Sequence, residues 1–185
     1  MYVLVLLSVV LALQVVSVLP QETAPDLRQI ISDDAGLGSV KVLYSIEGQV
    51  IAVRGDGRVL MQSTRQQLPL LPTCKGRVSP AEVRRLLETM LAEQFLDFPQ
   101  ESYILLNEDW RTLRMHSISI NATGRSAKRE FLVGEYGGKR HEIPEKFATI
   151  EKAIEDLKSK AIPPGTHWTI APPLWSDHES VPAVR

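Results

Sequence analysis

The sequence predicts an α+β domain: duplicated ββα units forming a four-stranded antiparallel sheet with two helices on one face. Three observations carry this. Ser79–Pro99 and Pro144–Lys158 repeat apolar residues at three- and four-residue steps. Val42–Arg54 with Arg58–Thr64, and Arg111–Asn121 with Ser126–Gly134, are strand-like runs on either side of glycine-bearing turns. These segments come in the order strand, strand, helix, twice over.

In the first helix Ser79 is the cap, and Pro80 stands where its missing N–H leaves nothing unpaired. Glu82 completes a capping box. Val83, Leu86, Leu87, Met90, Leu91 and Phe95 fall on one stripe, and Asp97 with Pro99 ends the helix. In the second helix, opened by Pro144, the residues Phe147, Ile150, Ile154 and Leu157 share a face. Glu145, Lys146, Glu151, Lys152, Glu155 and Lys158 read as its solvated side.

A three-residue Gly55-Asp56-Gly57 loop sets Val53 opposite Val59 and Ile51 opposite Met61, which keeps one side of the first hairpin apolar. A two-residue Asp56-Gly57 turn would pair Val53 with Leu60 instead. Gly48 marks a bulge or an early turn within the first strand. Arg65–Gly76, with Pro69 and Pro72, reads as a loop, and Tyr103–Leu106 as a candidate short strand. In the second hairpin a Gly124-Arg125 turn puts Ile118 opposite Phe131 and His116 opposite Val133. A bulge near Ser117 would bring Leu113 and Met115 into phase with Ile118 and Ile120; without one, both faces of the strand are partly covered.

Outside this 40–160 domain the chain changes character. Residues 1–19 contain no charged side chain and read as a signal peptide or an N-terminal membrane anchor, which places the remainder outside the cytoplasm, periplasmic or secreted. Residues 20–39 read as a linker with a helical turn around Leu27–Ile31. Residues 161–185 read as an extended tail rich in proline, whose Trp168 and Trp175 call for a surface on the domain or on a partner.

The chemistry-bearing residues are sparse. A net charge of −1 over 185 residues gives no overall basic field for nucleic acid or anionic lipid, leaving only local patches. Cys74 is the lone cysteine, so no internal disulfide is available. His116, His141, His167 and His178 stand in no metal-binding spacing, and Asn107-Glu108-Asp109 lacks the pattern of a calcium loop. No catalytic residue, metal or cofactor is nominated. Lys139, Arg140, His141, Trp168 and Trp175 are the candidate contacts for a ligand or partner.

The strand pair around Gly55-Asp56-Gly57, the phrase Val78-Ser79-Pro80-Ala81-Glu82-Val83 opening a helix, and its ending in Gln94-Phe95-Leu96-Asp97-Phe98 resemble the bacterial exported domain-of-unknown-function family 6438. The resemblance runs from about Tyr44 to Lys158 and implies export and fold without an activity. It also implies that any function resting on the cysteines many members carry near the first strand is absent, since Tyr44-Ser45-Ile46-Glu47-Gly48 stands there. Two functions are compatible with these residues. One is a non-catalytic module binding a protein, peptide or envelope component. The other is a small extracytoplasmic enzyme or ligand-binding domain using the Gly134–His141 loop with Cys74 or His116, which requires those side chains to converge in a cleft.

Overall fold

A computed structural model of the chain describes residues 24–64, 70–100, 113–136 and 138–174. The strands are β1 Lys41–Ile46, β2 Gln49–Arg54, β3 Arg58–Ser63, β4 Leu71–Arg77, β5 Arg114–Ala122, β6 Arg125–Tyr136, β7 Lys139–His141 and β8 Thr169–Ala171. The helices are α1 Leu27–Ser32, α2 Asp34–Gly38, α3 Pro80–Ala92 and α4 Glu145–Ala161, with a 3-10 turn at Phe95–Asp97. All eight strands join one sheet in the order β7-β6-β5-β1-β2-β3-β4-β8, and every neighbouring pair is antiparallel.

This corrects the expected four-stranded sheet of duplicated ββα units. The run Val42–Arg54 is two strands, because Glu47 and Gly48 take φ of +39° and +74° in a two-residue turn that sets Ile46 opposite Gln49. The expected loop Arg65–Gly76 contains β4 from Leu71 onward. The glycine-rich stretch folds back as β7, with Gly134 opposite His141, and the tail supplies β8. Tyr103–Leu106, Asn107-Glu108-Asp109, Trp175 and residues 1–19 lie outside the described residues.

Register follows side-chain chemistry. Val53 stands opposite Val59 and Ile51 opposite Met61, the pairing of the three-residue loop. In the second hairpin the turn is Thr123-Gly124, at φ +50° and +76°, so Ala122 faces Arg125, Ile118 faces Arg129 and His116 faces Phe131. The Gly124-Arg125 turn is one residue late: two consecutive positive φ values match the twist of the flanking strands. The ladder runs unbroken from Arg114 to Ala122, so of the two alternatives there is no bulge near Ser117, and both faces of the strand are partly covered. Its buried series is His116, Ile118, Ile120 and Ala122, so a histidine takes an apolar place.

One sheet face lies under the four helices. Val42, Tyr44, Ile51, Val53, Val59, Cys74, Ile118, Ile120 and Phe131 form a single core with Val83, Leu86, Leu87 and Met90 of α3 and Phe147, Ile150, Ile154 and Leu157 of α4. Phe147 meets Phe131 and Phe98 edge to face, with ring centroids 4.6 and 5.8 Å away. The α3 capping box forms as the sequence predicts: Ser79 N–H donates to Glu82 Oε2 at 3.0 Å, and Glu82 N–H to Ser79 Oγ at 3.3 Å. The helix stops at Ala92 rather than near Asp97, because Gln94 turns left-handed at φ +58°; Phe95 is still fully buried beyond it. The expected linker is packed from Leu27 onward. Asp26 caps α1 and Asp33 caps α2, and Leu27, Ile30 and Leu37 enter the core. On the other sheet face a smaller cluster joins Val50 and Ala52 to Leu174, flanked by Leu43 and Leu60.

Candidate functional site

Three large hydrophobic residues are left exposed among the described residues, and they gather where the chain comes back as β8. Leu70 is 49% exposed, Trp168 44% and Ile170 71%. Ile170 stands opposite Pro72, and Leu70 leads into β4 beside it. Pro72 has no N–H, so the exchanged backbone bonds between β4 and β8 fall on Leu71–Ala171 and Thr73–Thr169. By alternation the N–H and C=O of Ile170 point away from β4, beyond which the described residues supply no further strand.

Trp168 walls two hollows on the helix side. One, of about 430 Å³, is lined by Met61, Cys74, Lys158, Ile162 and the Pro163–Thr166 loop. The other, of about 410 Å³, is lined by Ile46, Gln49, Ser63 and Glu155. Glu155 is paired with Lys158 along α4. An apolar wall with a few polar side chains and an open strand edge can receive an extended segment, each alternate side chain entering a hollow.

The other sheet face anchors this edge. Gln62, fully buried, donates from Nε2 to Thr73 Oγ1 at 2.9 Å and to the Pro172 carbonyl at 2.6 Å, and its Oε1 accepts from Leu174 N–H at 2.7 Å. Lys41 Nζ donates to the Leu174 carbonyl at 2.9 Å. Replacing Gln62 with alanine is expected to orphan these groups at a cost of about 2 kcal/mol. At about 2–4 °C per kcal/mol for a chain of this size, thermal unfolding should show a midpoint lower by about 4–8 °C.

The residues singled out from sequence do not converge. Lys139, Arg140 and His141 form β7 at the opposite edge, on the order of 30 Å from β8 across an eight-stranded sheet. There Arg140 Nε pairs with Glu142 at 3.0 Å beside a shallow hollow lined by Val133, Gly134 and Glu135. Cys74 is 1% exposed, with Sγ 3.8 Å from the carbonyls of both Thr166 and His167, and burial pushes its thiol up, away from the reactive thiolate. The His167 ring is engaged elsewhere, its Nδ1–H donating to the Trp168 carbonyl at 2.6 Å. His116 Nδ1–H donates to Glu151 Oε1 at 2.7 Å inside the core, where Tyr44 also bonds to Glu151. Burial first, and then the charge of Glu151, push Tyr44 well above its ordinary value. This trio ties β1, β5 and α4 together.

Sequence reasoning missed Ile170, Leu70, Gln62 and Glu151. Trp168 and Ile170 sit two apart before Pro172, and that alternation was the available signal. Gln62 and Glu151 gave none, since buried polar residues look like surface ones until a partner is placed. Among the described residues no group of three His, Cys, Asp or Glu side chains can hold a metal ion, and no helix is long and apolar enough to cross a membrane. Comparison with protein-family models, curated proteins and solved structures finds no match to the chain.

Proposed function

We propose that this is a non-catalytic exported module that binds an extended protein or peptide segment along the free edge of β8. The observation that carries the reading is Ile170, mostly exposed on an edge strand with its backbone groups turned outward, next to Trp168 and Leu70. Edge strands are ordinarily guarded by charge, proline or cover. The β7 edge is guarded by Lys139, Arg140 and His141, whereas β8 presents apolar side chains and is bounded by Pro172 only at its end. Added backbone hydrogen bonds would supply affinity, and the hollows beside Trp168 selectivity. Export, to the periplasm or beyond the cell, is taken from the apolar run 1–19 and from the resemblance to family 6438; an uncleaved run would tether the domain to a membrane.

The test is selection of displayed linear peptides on the chain from Gln21 onward, followed by titration of the enriched sequences. Peptides with apolar residues at alternate positions are expected to be enriched and to slow hydrogen exchange at the Ile170 amide. Ile170→Lys and Trp168→Ala should each weaken them by about tenfold or more, the behaviour of residues at the centre of an interface. Enriched peptides that bind both variants as tightly as the parent, or a selection that enriches nothing, would sink the reading.

A further inference from the structure

The two hollows beside Trp168, of about 410 and 430 Å³, adjoin each other, with Gln49 and Trp168 in the walls of both. The cleft they make has a local origin. Pro163 and Pro164 stop α4 just after Ala161, and the Ala161 carbonyl is pressed so closely on β4 that a Cβ on Gly76 would lie 1.9 Å from its oxygen. The chain must then swing out before it returns as β8, and the space between helix end, loop and sheet stays open. The loop is tied to itself: Thr166 donates to the Pro163 carbonyl from its N–H at 3.2 Å and from Oγ1 at 2.6 Å. The outer wall of the cleft is therefore held in place before anything binds.

The sheet supplies the floor. Ile46, Gln49 and Ser63 stand side by side across β1, β2 and β3, and by alternation Gln49 and Ser63 share the helix-side face with Ile51 and Val59 of their own strands. Gln49 and Ser63 are half-buried, and their side chains have no hydrogen-bond partner among the described residues. The charged groups of the walls are already matched, Glu47 with Arg114 and Glu155 with Lys158. What is left to meet a ligand is a neutral amide, a hydroxyl and the exposed indole of Trp168, backed by Met61 and Ile162.

We infer that this cleft binds a neutral saccharide, one or two sugar rings with a pyranose lying against Trp168. A sugar ring has an apolar C–H face and an edge of hydroxyls that both donate and accept. An indole beside a free amide and a free hydroxyl meets both at once. A purely apolar ligand would strip water from Gln49 and Ser63 and put nothing in its place, which carries the penalty of two unsatisfied groups. A charged ligand would have to compete with the two ion pairs for its counter-charge. The size of the cleft is that of a small-molecule pocket. The saccharide site goes beyond the peptide reading, which uses these hollows only for side chains of a bound segment, and it does not need the β8 edge: Ile170 lines neither hollow.

The full chain is titrated with cellobiose, maltose and diacetylchitobiose, and with glucuronic acid, adenosine and cyclohexanol for comparison, with saturation-transfer NMR reading the ligand C–H protons. At least one disaccharide is expected to bind ahead of the three comparison compounds, with saturation strongest on one face of one ring. Gln49→Ala and Ser63→Ala should each weaken it about fivefold, the worth of one neutral hydrogen bond. Trp168→Ala should weaken it about tenfold or more. Ile170→Lys, which strikes the β8 edge, should leave the sugar bound as before, so that the saccharide site and the peptide reading stand or fall separately. The inference is overturned if none of the disaccharides binds, if neither Gln49→Ala nor Ser63→Ala weakens the one that does, or if glucuronic acid, adenosine or cyclohexanol binds as tightly through the same residues.

Discussion

Replacing Glu151 with alanine is expected to lower the unfolding free energy by about 3–5 kcal/mol, the sum of leaving two buried hydrogen-bonding groups without a partner at about 1–3 kcal/mol each. The carboxylate is 9% exposed, accepts from His116 Nδ1 at 2.7 Å and faces the Tyr44 hydroxyl, so its loss orphans two groups on neighbouring strands at once. Calorimetry should show a midpoint lower by about 6–20 °C. The double variant Glu151→Leu with His116→Leu should recover much of the loss, because most of the cost lies in the abandoned partner rather than in the pair's net worth. A drop below about 1 kcal/mol for Glu151→Ala would mean that the pair is not buried as described.

Tyr44 gives the same network a pH signature. Its folded value is raised from the ordinary 10.0, first by burial and then by Glu151. Folding therefore favours the protonated phenol: the contribution is fully present below about pH 10 and is lost as pH rises from there toward the folded value. Unfolding midpoints measured between about pH 9 and 11 should fall with pH, and Tyr44→Phe should flatten that fall.

What could be read from the sequence was local. Ser79 and Glu82 lie three residues apart and satisfy each other whatever the rest of the chain does, and the Gly55-Asp56-Gly57 register follows from keeping Val53, Val59, Ile51 and Met61 on one side. The size of the sheet was not local. β7 and β8 have three residues each, too few to show a period, and Pro72 reads as a breaker until Ile170, remote in sequence, is placed opposite it. Glu151 lies four residues after Phe147 and three before Ile154, inside the buried stripe of α4, yet its charge assigns it to solvent. His116 and Tyr44, both hidden as ordinary strand residues, explain why it is inside. The β8 edge was half legible: the tail tryptophans called for a surface, while the exposed Ile170 between them went unnoticed.

Alanine at Gly55 is expected to cost about 3 kcal/mol, the upper end for forcing atoms into a packed site. Its Cβ would lie 1.6 Å from the Leu37 carbonyl oxygen and 2.6 Å from its carbon, and both are backbone atoms that cannot swing aside. Gly38→Ala meets nothing within 4 Å and should be neutral within about 0.5 kcal/mol. Gly124→Ala also meets nothing but must hold φ near +76°, for a cost of about 1–2 kcal/mol. Urea unfolding should therefore rank the three Gly55, Gly124, Gly38 from most to least damaging. If Gly55→Ala proved as mild as Gly38→Ala, α2 would not be seated on the hairpin, and the stretch before Val40 would be a tether after all. With the ranking as expected, the close approach at Gly55 does two things: it fixes α1 and α2 to the sheet, and it holds the three-residue loop that sets Val53 opposite Val59.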